Sequence, residues 1–143
     1  PSGHVIQYQK SSSNLQISTQ SATPVTTGLS VSIAPKFSTS LVVVEVRGGR
    51  GLVQGGTQLD LSLFKDGSNV NTTGTGRWVS IYSETGDMHQ GSYSAYYVES
   101  ASNTSSRTYD VRIDVGSGTG TFNTSPSSNG EFTVYMIAME IKQ

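Results

Sequence analysis

Apolar and polar residues alternate with a period of two along most of this chain. In the segments Leu29–Ile33, Leu59–Leu63 and Tyr109–Val115, every second residue is apolar and the residues between are polar or charged. Such alternation places one face of a strand against a core and the other face in water. No segment combines helical spacing of apolar residues with helix start and stop signals. The chain is therefore predicted to be all-β.

Ten short strands are predicted, separated by clusters of Gly, Ser, Asn and Pro. They are Val5–Gln9, Leu15–Thr19, Leu29–Ala34, Leu41–Arg47, Gln58–Phe64, Arg77–Ser83, Tyr93–Glu99, Arg107–Val115, Gly120–Asn123 and Phe132–Ile141. The segment Lys65–Ser68 predicts a tight turn, because Gly67 accepts a positive φ at little cost. Ten strands at this spacing indicate an antiparallel β-sandwich or barrel. No linker divides the chain, so we predict one domain over residues 1–143.

The last predicted strand is apolar on both faces. One face carries Phe132, Val134, Met136 and Ala138, and the opposite face carries Tyr135, Ile137, Met139 and Ile141. A sandwich has one core between its sheets, so the second face needs another covering partner. Either a long loop of the same chain or a second copy could cover it, and a symmetric homo-oligomer is the more direct explanation. The second set is therefore our predicted oligomer interface.

The composition excludes several classes of function. Charged residues make up 13% of the 143 residues and the net charge is -1, so no basic field is available for nucleic acid. No apolar run approaches the ~18 residues of a membrane-spanning helix. Cys is absent, while Ser, Thr and Gly number 24, 16 and 16. We therefore expect no nucleic-acid partner, no membrane insertion and no disulfide framework.

Catalytic and metal chemistry find little support in the sequence. Glu84, Asp87 and His89 could form a carboxylate/His metal site, but they lie in one turn-like stretch, so a solvated loop is the better interpretation. Asp110 and Asp114 fall on the wet face of one strand with Arg112 between them, which indicates charge balance. We predict no catalytic residue, no metal and no cofactor, and no enzymatic activity.

One set of aromatic residues is the only group in the sequence with ligand-binding character. The aromatic set could contact sugar or peptide, or could belong to the core with its polar tips at the rim. Its members are Trp78, Tyr82, Tyr93, Tyr96 and Tyr97. Gly48–Gly51 resembles a phosphate-binding loop, but no helix follows it, so a flexible loop is predicted.

Several segments, taken in order, carry a family resemblance. They are Gly3–Gln7, Val25–Pro35, Ser38–Val44, Leu61–Gly67, Tyr97–Val111 and Tyr135–Ile141. Together they resemble small structural proteins and fibre modules of tailed bacteriophages, notably phages of cyanobacteria and other aquatic bacteria. The resemblance implies a jelly-roll-like β-sandwich, a homotrimer, a place in the virion and no catalytic residues. The loops Gly48–Gly56 and Ser83–Gly91 have no counterpart in that family, and the stretches Arg50–Gly56 and Glu84–Gly91 within them are the predicted contact loops.

These observations predict a non-enzymatic virion structural protein, a tail or fibre-tip component that adheres to the host surface. A capsid decoration protein that stabilises the phage head is the alternative, and a non-viral carbohydrate-binding module is a further one. The expected partners are copies of the chain and other virion proteins, with a host-surface glycan or protein as a further candidate. The expected location is the particle surface or tail, after assembly in the host cytoplasm. The predicted exposed binding residues are Arg50, Glu84, Asp87, His89 and Tyr93.

Overall fold

The computed structural model describes residues 2–55, 58–71, 76–84, 87–123 and 132–143. Within these ranges the chain forms eleven β-strands, and no helix able to cross a membrane is present. The strands are β1 (Val5–Ser13), β2 (Ile17–Thr19), β3 (Val25–Ile33), β4 (Leu41–Gln54), β5 (Gln58–Lys65), β6 (Ser68–Asn69), β7 (Val79–Tyr82), β8 (Met88–Ser100), β9 (Arg107–Val115), β10 (Thr119–Phe122) and β11 (Val134–Ile141).

The strands form two antiparallel sheets built around long central strands. In the first sheet β4 pairs with β8 along one edge, and with β11 and then β10 along the other. Strand β1 continues this sheet beyond β11, and β2 continues it beyond β10. The second sheet has the order β3-β9-β5-β6, and β7 also pairs with β5. The two sheets pack into a β-sandwich, which confirms the predicted all-β antiparallel class.

The core lies between the inward faces of the two sheets. The first sheet contributes the alternate residues Val42, Val44 and Val46 of β4, all fully buried. The second sheet contributes the alternate residues of Leu59–Leu63 and Tyr109–Val115. Each large apolar side chain buried in this way stabilises the fold by about 1.5–3 kcal/mol. The period-two pattern of the sequence therefore corresponds directly to the core.

All ten predicted strands are present, with one addition and with differences in extent that are largest in β1, β3, β4 and β8. The hairpin at Lys65–Ser68 is confirmed, because Asp66 and Gly67 have φ values of 49° and 83° and join β5 to the short strand β6, which was not predicted. Strand β4 runs on to Gln54 and β8 begins at Met88, so both strands are longer than predicted.

The prediction of a flexible loop at Gly48–Gly51 is wrong, and close packing against Tyr93 of the neighbouring strand and Ile81 of the second sheet explains why. An added Cβ on Gly49 would lie 1.9 Å from the Tyr93 hydroxyl, and one on Gly51 would lie 2.4 Å from Cδ1 of Ile81. These glycines therefore serve close packing inside a continuous strand. Arg50 accordingly lies in β4 and is half-buried, where the sequence predicted an exposed loop.

Candidate functional site

The outer face of the first sheet is apolar across four adjacent strands. One row of register partners crosses β1, β11, β4 and β8 through Tyr8, Met139, Val43 and Val98. The row on one side is apolar except for Ser100 of β8, and the row on the other side places Ile137 and Tyr96 beside Lys10 and Glu45. The apolar residues of these rows, together with Tyr135, form what we call the apolar face. Its members are Val5, Tyr8, Leu41, Val43, Tyr96, Val98, Tyr135, Ile137, Met139 and Ile141.

This face is open to solvent in the isolated chain. Tyr96 is 71% exposed, Tyr8 53% and Val98 44%, so no described segment lies over the edges of the face. The sequence allowed either a loop of the same chain or a second copy to cover this face. Within the described residues, no loop of the same chain covers it. Tyr135, Ile137, Met139 and Ile141 share this outward face, while Val134, Met136 and Ala138 face the core.

Charged groups on the same face lie towards one end of it. Glu45 of β4 pairs with Arg47 in the same strand. The Nζ atom of Lys10 lies 5.0 Å from the centre of the Tyr135 ring, within the range of a cation–π contact. The rows through Leu41 and Val43 carry no charged residue on this face. Burial of that part would therefore require no charge to be desolvated.

The outer face of the second sheet is polar by contrast. Ser32 and Thr108 share a hydrogen bond of 2.7 Å across β3 and β9, and Arg112 Nε lies 2.7 Å from Asp110 Oδ2. The sequence predicted charge balance between strands, but Arg112 pairs with Asp110 within β9, and the residue opposite Asp114 on β5 is the acidic Asp60. Phe64 of β5 also faces outward on this sheet, and the Arg112 guanidinium carbon lies 4.0 Å from the centre of its ring. The two outer faces are thus chemically different, and among the described residues only the first sheet presents a broad apolar surface.

Asp60 and Asp114 face each other across β5 and β9 on this second outer face. Asp60 is fully buried, and its carboxylate contacts Arg77 Nε at 2.7 Å and Ser80 Oγ at 2.5 Å. Burial and the nearby Asp60 charge together raise the pKa of Asp114 above its ordinary value, and Arg77 opposes this only in part. Asp60 and Asp114 resemble the carboxylate pair of an acid/base site, but Arg77 pairs with Asp60. This ion pair favours a structural role for both carboxylates.

Three of the predicted binding residues come together at one rim of the sandwich. Glu84, Asp87 and His89 border a cavity of about 440 Å³ between the end of β7 and the start of β8. Tyr82 and Met88 also border it and are 62% and 59% exposed, respectively. Residues 85 and 86 of the predicted loop lie outside the described residues, as does Gly56 of the other predicted loop. This cavity combines exposed apolar surface with ionisable groups.

His89 was predicted to lie in a loop, but it lies within β8 and faces solvent. In the part of the chain that the structure describes, no group of three His, Asp or Glu side chains is placed to hold a metal ion.

Tyr93 is not an exposed binding residue, and that prediction is wrong. Its side chain is 4% exposed and stacks on Phe122, with ring centres 5.5 Å apart. Burial raises the pKa of the Tyr93 hydroxyl. Tyr93 and Tyr97 share the inward face of β8 while Tyr96 faces outward, as strand geometry requires. The core interpretation of the aromatic set therefore holds for Tyr93.

A buried charge cluster at one end of the sandwich was not found from the sequence. The Glu99 carboxylate accepts hydrogen bonds from Lys65 Nζ at 2.7 Å, Arg107 Nη1 at 3.0 Å and the Tyr109 hydroxyl at 2.6 Å. Burial alone would raise the pKa of Glu99, but these hydrogen bonds from Lys65, Tyr109 and Arg107 lower it below its ordinary value. Arg107 also donates to the carbonyl of Ala101, so the cluster fixes the chain after β8.

Glu140 anchors a second connection in a similar way. It is fully buried on the inward face of β11 and accepts hydrogen bonds from the backbone N–H groups of Lys36 and Phe37, at 2.8 to 3.0 Å. Burial would raise the pKa of Glu140, but these backbone hydrogen bonds lower it. Glu99 and Glu140 are therefore structural anchors, because the groups that donate hydrogen bonds to them belong to the fold itself.

Comparison with known proteins adds no functional assignment. No family model matches the chain, and no curated protein matches it. The C-terminal domain of EclA, a sugar-binding protein, is 11% identical over 78% of this chain and 76% of its own, with a TM-score of 0.39. A pilus protein of Bacillus endospore appendages is 17% identical over 97% and 92%, with a TM-score of 0.31. VP2 of infectious bursal disease virus is 15% identical over 97% of this chain and 38% of its own, with a TM-score of 0.40. At such values these likenesses carry no argument about function.

Proposed function

We propose that this protein is a non-enzymatic structural module that assembles with copies of itself through the apolar face. The observation that carries this proposal is the continuous apolar surface across β1, β11, β4 and β8, on a sheet whose other side is already buried in the core. The homotrimer and the place in a phage particle rest on the resemblance of the sequence to phage structural modules. The apolar face itself requires only a second copy.

The size of the apolar face suits an interface between copies. Four strands about 4.8 Å apart, with outward residues spread over about 20 Å of strand, give a projected area of about 400 Å². A surrounding rim about 5 Å wide increases the footprint to about 850 Å². A standard protein–protein interface buries about 800 Å² on each partner. The apolar centre with its polar rim therefore has the dimensions of a specific interface.

The chemistry of the apolar face also favours assembly with copies of the same chain. Apolar surface removed from water contributes about 25 cal/mol per Å², so the apolar centre alone offers roughly 10 kcal/mol before the costs of association. Self-association is favoured over a different partner because the rows through Leu41 and Val43 carry no charged residue, so copies of the face can pack together around a symmetry axis. Few charges then have to leave water.

The assembly is tested by measuring molar mass with light scattering after size-exclusion chromatography. We expect the wild-type chain at micromolar concentration to have about three times its 15.2 kDa mass. Met139→Lys places a charge between Tyr8 and Val43, in a row without charged residues, and should yield the monomer. Leu15→Lys is the matched control, because Leu15 is 63% exposed and lies between β1 and β2, away from the face. A wild-type monomer, or equal dissociation by both variants, would contradict the proposal.

Host adhesion is the second candidate function, and the exposed cavity at the rim supports it. The cavity near Tyr82 and His89 combines aromatic, thioether and ionisable groups at one end of the sandwich, where phage receptor-binding proteins carry their contact loops. If the protein is an adhesin, fluorescently labelled protein should stain host cells and Tyr82→Ser should abolish the staining. If it is a capsid decoration protein, it should instead bind mature capsids and raise their heat resistance without staining cells.

Deleting the whole stretch Glu84–Gly91 would be a poor test of adhesion, because Met88–Gly91 belongs to β8 and pairs with β4. Point variants at exposed side chains avoid that problem. Ser32→Ala on the outer face of the second sheet is a suitable control, since it is exposed and lies on neither the cavity nor the apolar face.

A further inference from the structure

Arg50 is the one arginine without a carboxylate partner among the residues that the structure describes. Arg47 pairs with Glu45, Arg77 with Asp60, Arg107 with Glu99 and Arg112 with Asp110. The Nε and Nη2 atoms of Arg50 are buried, and no described residue accepts a hydrogen bond from them. Burying N–H groups of a charged side chain without an acceptor costs free energy. A hydrogen-bond acceptor for these two atoms is therefore expected from outside the described residues.

A cavity beside Arg50 offers room for that acceptor. Its volume is about 510 Å³, and it is bordered by Arg50, Ser92, Ser94 and Phe132 together with Gly48, Gly49 and Tyr93. Ser92 and Ser94 are exposed and face outward from β8. None of these bordering residues is acidic, and their polar side-chain groups are the Arg50 guanidinium and hydroxyl groups. Such a lining favours a ligand rich in acceptors and carrying negative charge.

The geometry of the Arg50 guanidinium indicates which kind of anion would fit the cavity. Its central carbon lies 5.2 Å from the centre of the Phe132 ring, and this contact leaves the in-plane N–H groups without a partner. The Nε and Nη2 groups form a planar fork that matches the two oxygens of a carboxylate. Because Nε and Nη2 are buried, the side chain would have to rotate for this fork to reach a ligand in the cavity. No described hydrogen bond or ion pair opposes that rotation.

We infer that this cavity binds the carboxylate of an acidic sugar residue. Arg50 would hold the carboxylate, Ser92 and Ser94 would exchange hydrogen bonds with ring hydroxyls, and Phe132 would cover an apolar patch of the ring. The cavity volume lies within the range of small-ligand sites. Arg50, Ser92 and Ser94 lie on the same outer side of the first sheet as the apolar face, but none of them is a member of it.

The test is a titration with glucuronate, followed by isothermal calorimetry, with glucose and acetate as comparison ligands. We expect saturable binding of glucuronate that is tighter than that of glucose, which lacks the carboxylate, and of acetate, which lacks the ring. Arg50→Lys keeps the charge but loses the fork, so its affinity should fall by about tenfold or more. Arg47→Lys, three residues away in the same strand, is the matched control and should bind as the wild type does.

A second variant protects the test if Arg50→Lys fails to fold. Ser94→Phe fills the cavity from an exposed position and should abolish binding without changing thermal stability. The inference is overturned if glucuronate does not bind, if glucose or acetate binds as tightly, or if Arg50→Lys keeps wild-type affinity. It is also overturned if Glu131→Gln destabilises the fold as much as Arg50→Gln does. Glu131 precedes Phe132 and lies outside the described residues, and that result would assign the missing acceptor to the chain itself.

Discussion

Adding a single methyl group at Gly49 should destabilise the sandwich severely. The Cβ of Gly49→Ala would lie 1.9 Å from the Tyr93 hydroxyl oxygen and 2.0 Å from its Cζ atom. Ordinary contact begins near 3.4 Å, so the ring would have to retreat by about 1.5 Å. Tyr93 has little room to do so, because it is 4% exposed and stacks on Phe122.

The size of the effect follows from the cost of overpacking a core. Inserting a methyl group into a well-packed interior costs about 1–3 kcal/mol, and a displacement this large belongs at the upper end of that range. For a chain of this length, 1 kcal/mol shifts the melting temperature by about 3 °C. Gly49→Ala should therefore lower the melting temperature by about 10 °C.

Gly91→Ala is the matched control on the neighbouring strand. Its Cβ would meet Ile81 at 3.5 to 3.7 Å, which is ordinary contact. Alanine also restricts the unfolded chain, so Gly91→Ala should be neutral or stabilising by up to about 1 kcal/mol. Thermal unfolding followed by circular dichroism at one fixed protein concentration measures both variants, since assembly makes the midpoint depend on concentration. Equal melting temperatures for the two variants would refute the close packing of β4 on Tyr93.

Three further predictions concern buried polar groups. Glu99→Gln should lower the free energy of unfolding by about 3 kcal/mol at neutral pH, because Arg107 loses its carboxylate. The pKa of Glu99 is lowered in the folded protein, so its ionised carboxylate stabilises the fold at neutral pH. This stabilisation is lost as the pH falls through the lowered pKa. Urea unfolding should therefore show the difference in stability between the wild type and Glu99→Gln decreasing in acid. Asp114→Asn should raise the urea midpoint at neutral pH but not in acid, because the pKa of Asp114 is raised and its ionisation opposes folding; a lower midpoint at neutral pH would contradict this. Tyr93→Phe removes a buried hydroxyl that has no partner among the described residues, so it should leave thermal stability unchanged or raise it by up to about 1 kcal/mol, and a loss would reveal a hydrogen bond.

The sequence was sufficient to predict the strands because their apolar residues alternate. The alternation in Leu59–Leu63 and Tyr109–Val115 directly matches the buried face of the second sheet. The same pattern could not predict that β4 continues through Gly48–Gly51. Whether a glycine bends a chain or makes room for a neighbour depends on what packs opposite, and here Tyr93 and Ile81 come from distant parts of the sequence.

The apolar face was predicted only in part. Ile137 and Met139 could be assigned to one face of the last strand from periodicity alone. Tyr8 and Val98 could not be added to that face, because their place beside Met139 and Val43 depends on the register of three strand pairs. A register is set by long-range pairing, which a single sequence does not reveal.

The charge cluster around Glu99 shows the same difficulty. Its partner Lys65 is 34 residues away in the sequence and lies on the other sheet. An isolated Lys or Glu in a strand looks like a solvent-exposed residue, since most charged residues are exposed. The position of Glu99 at the end of β8, facing Arg107 and Tyr109, is a product of the sandwich and not of any local pattern.

The molar mass of the wild-type protein in solution tests the central claim most directly. Sedimentation equilibrium across a range of micromolar concentrations should give a mass that is a whole multiple of 15.2 kDa, with three copies expected, and the mass should decrease on dilution if the subunits exchange. A mass of 15.2 kDa at every concentration would contradict self-assembly through the apolar face.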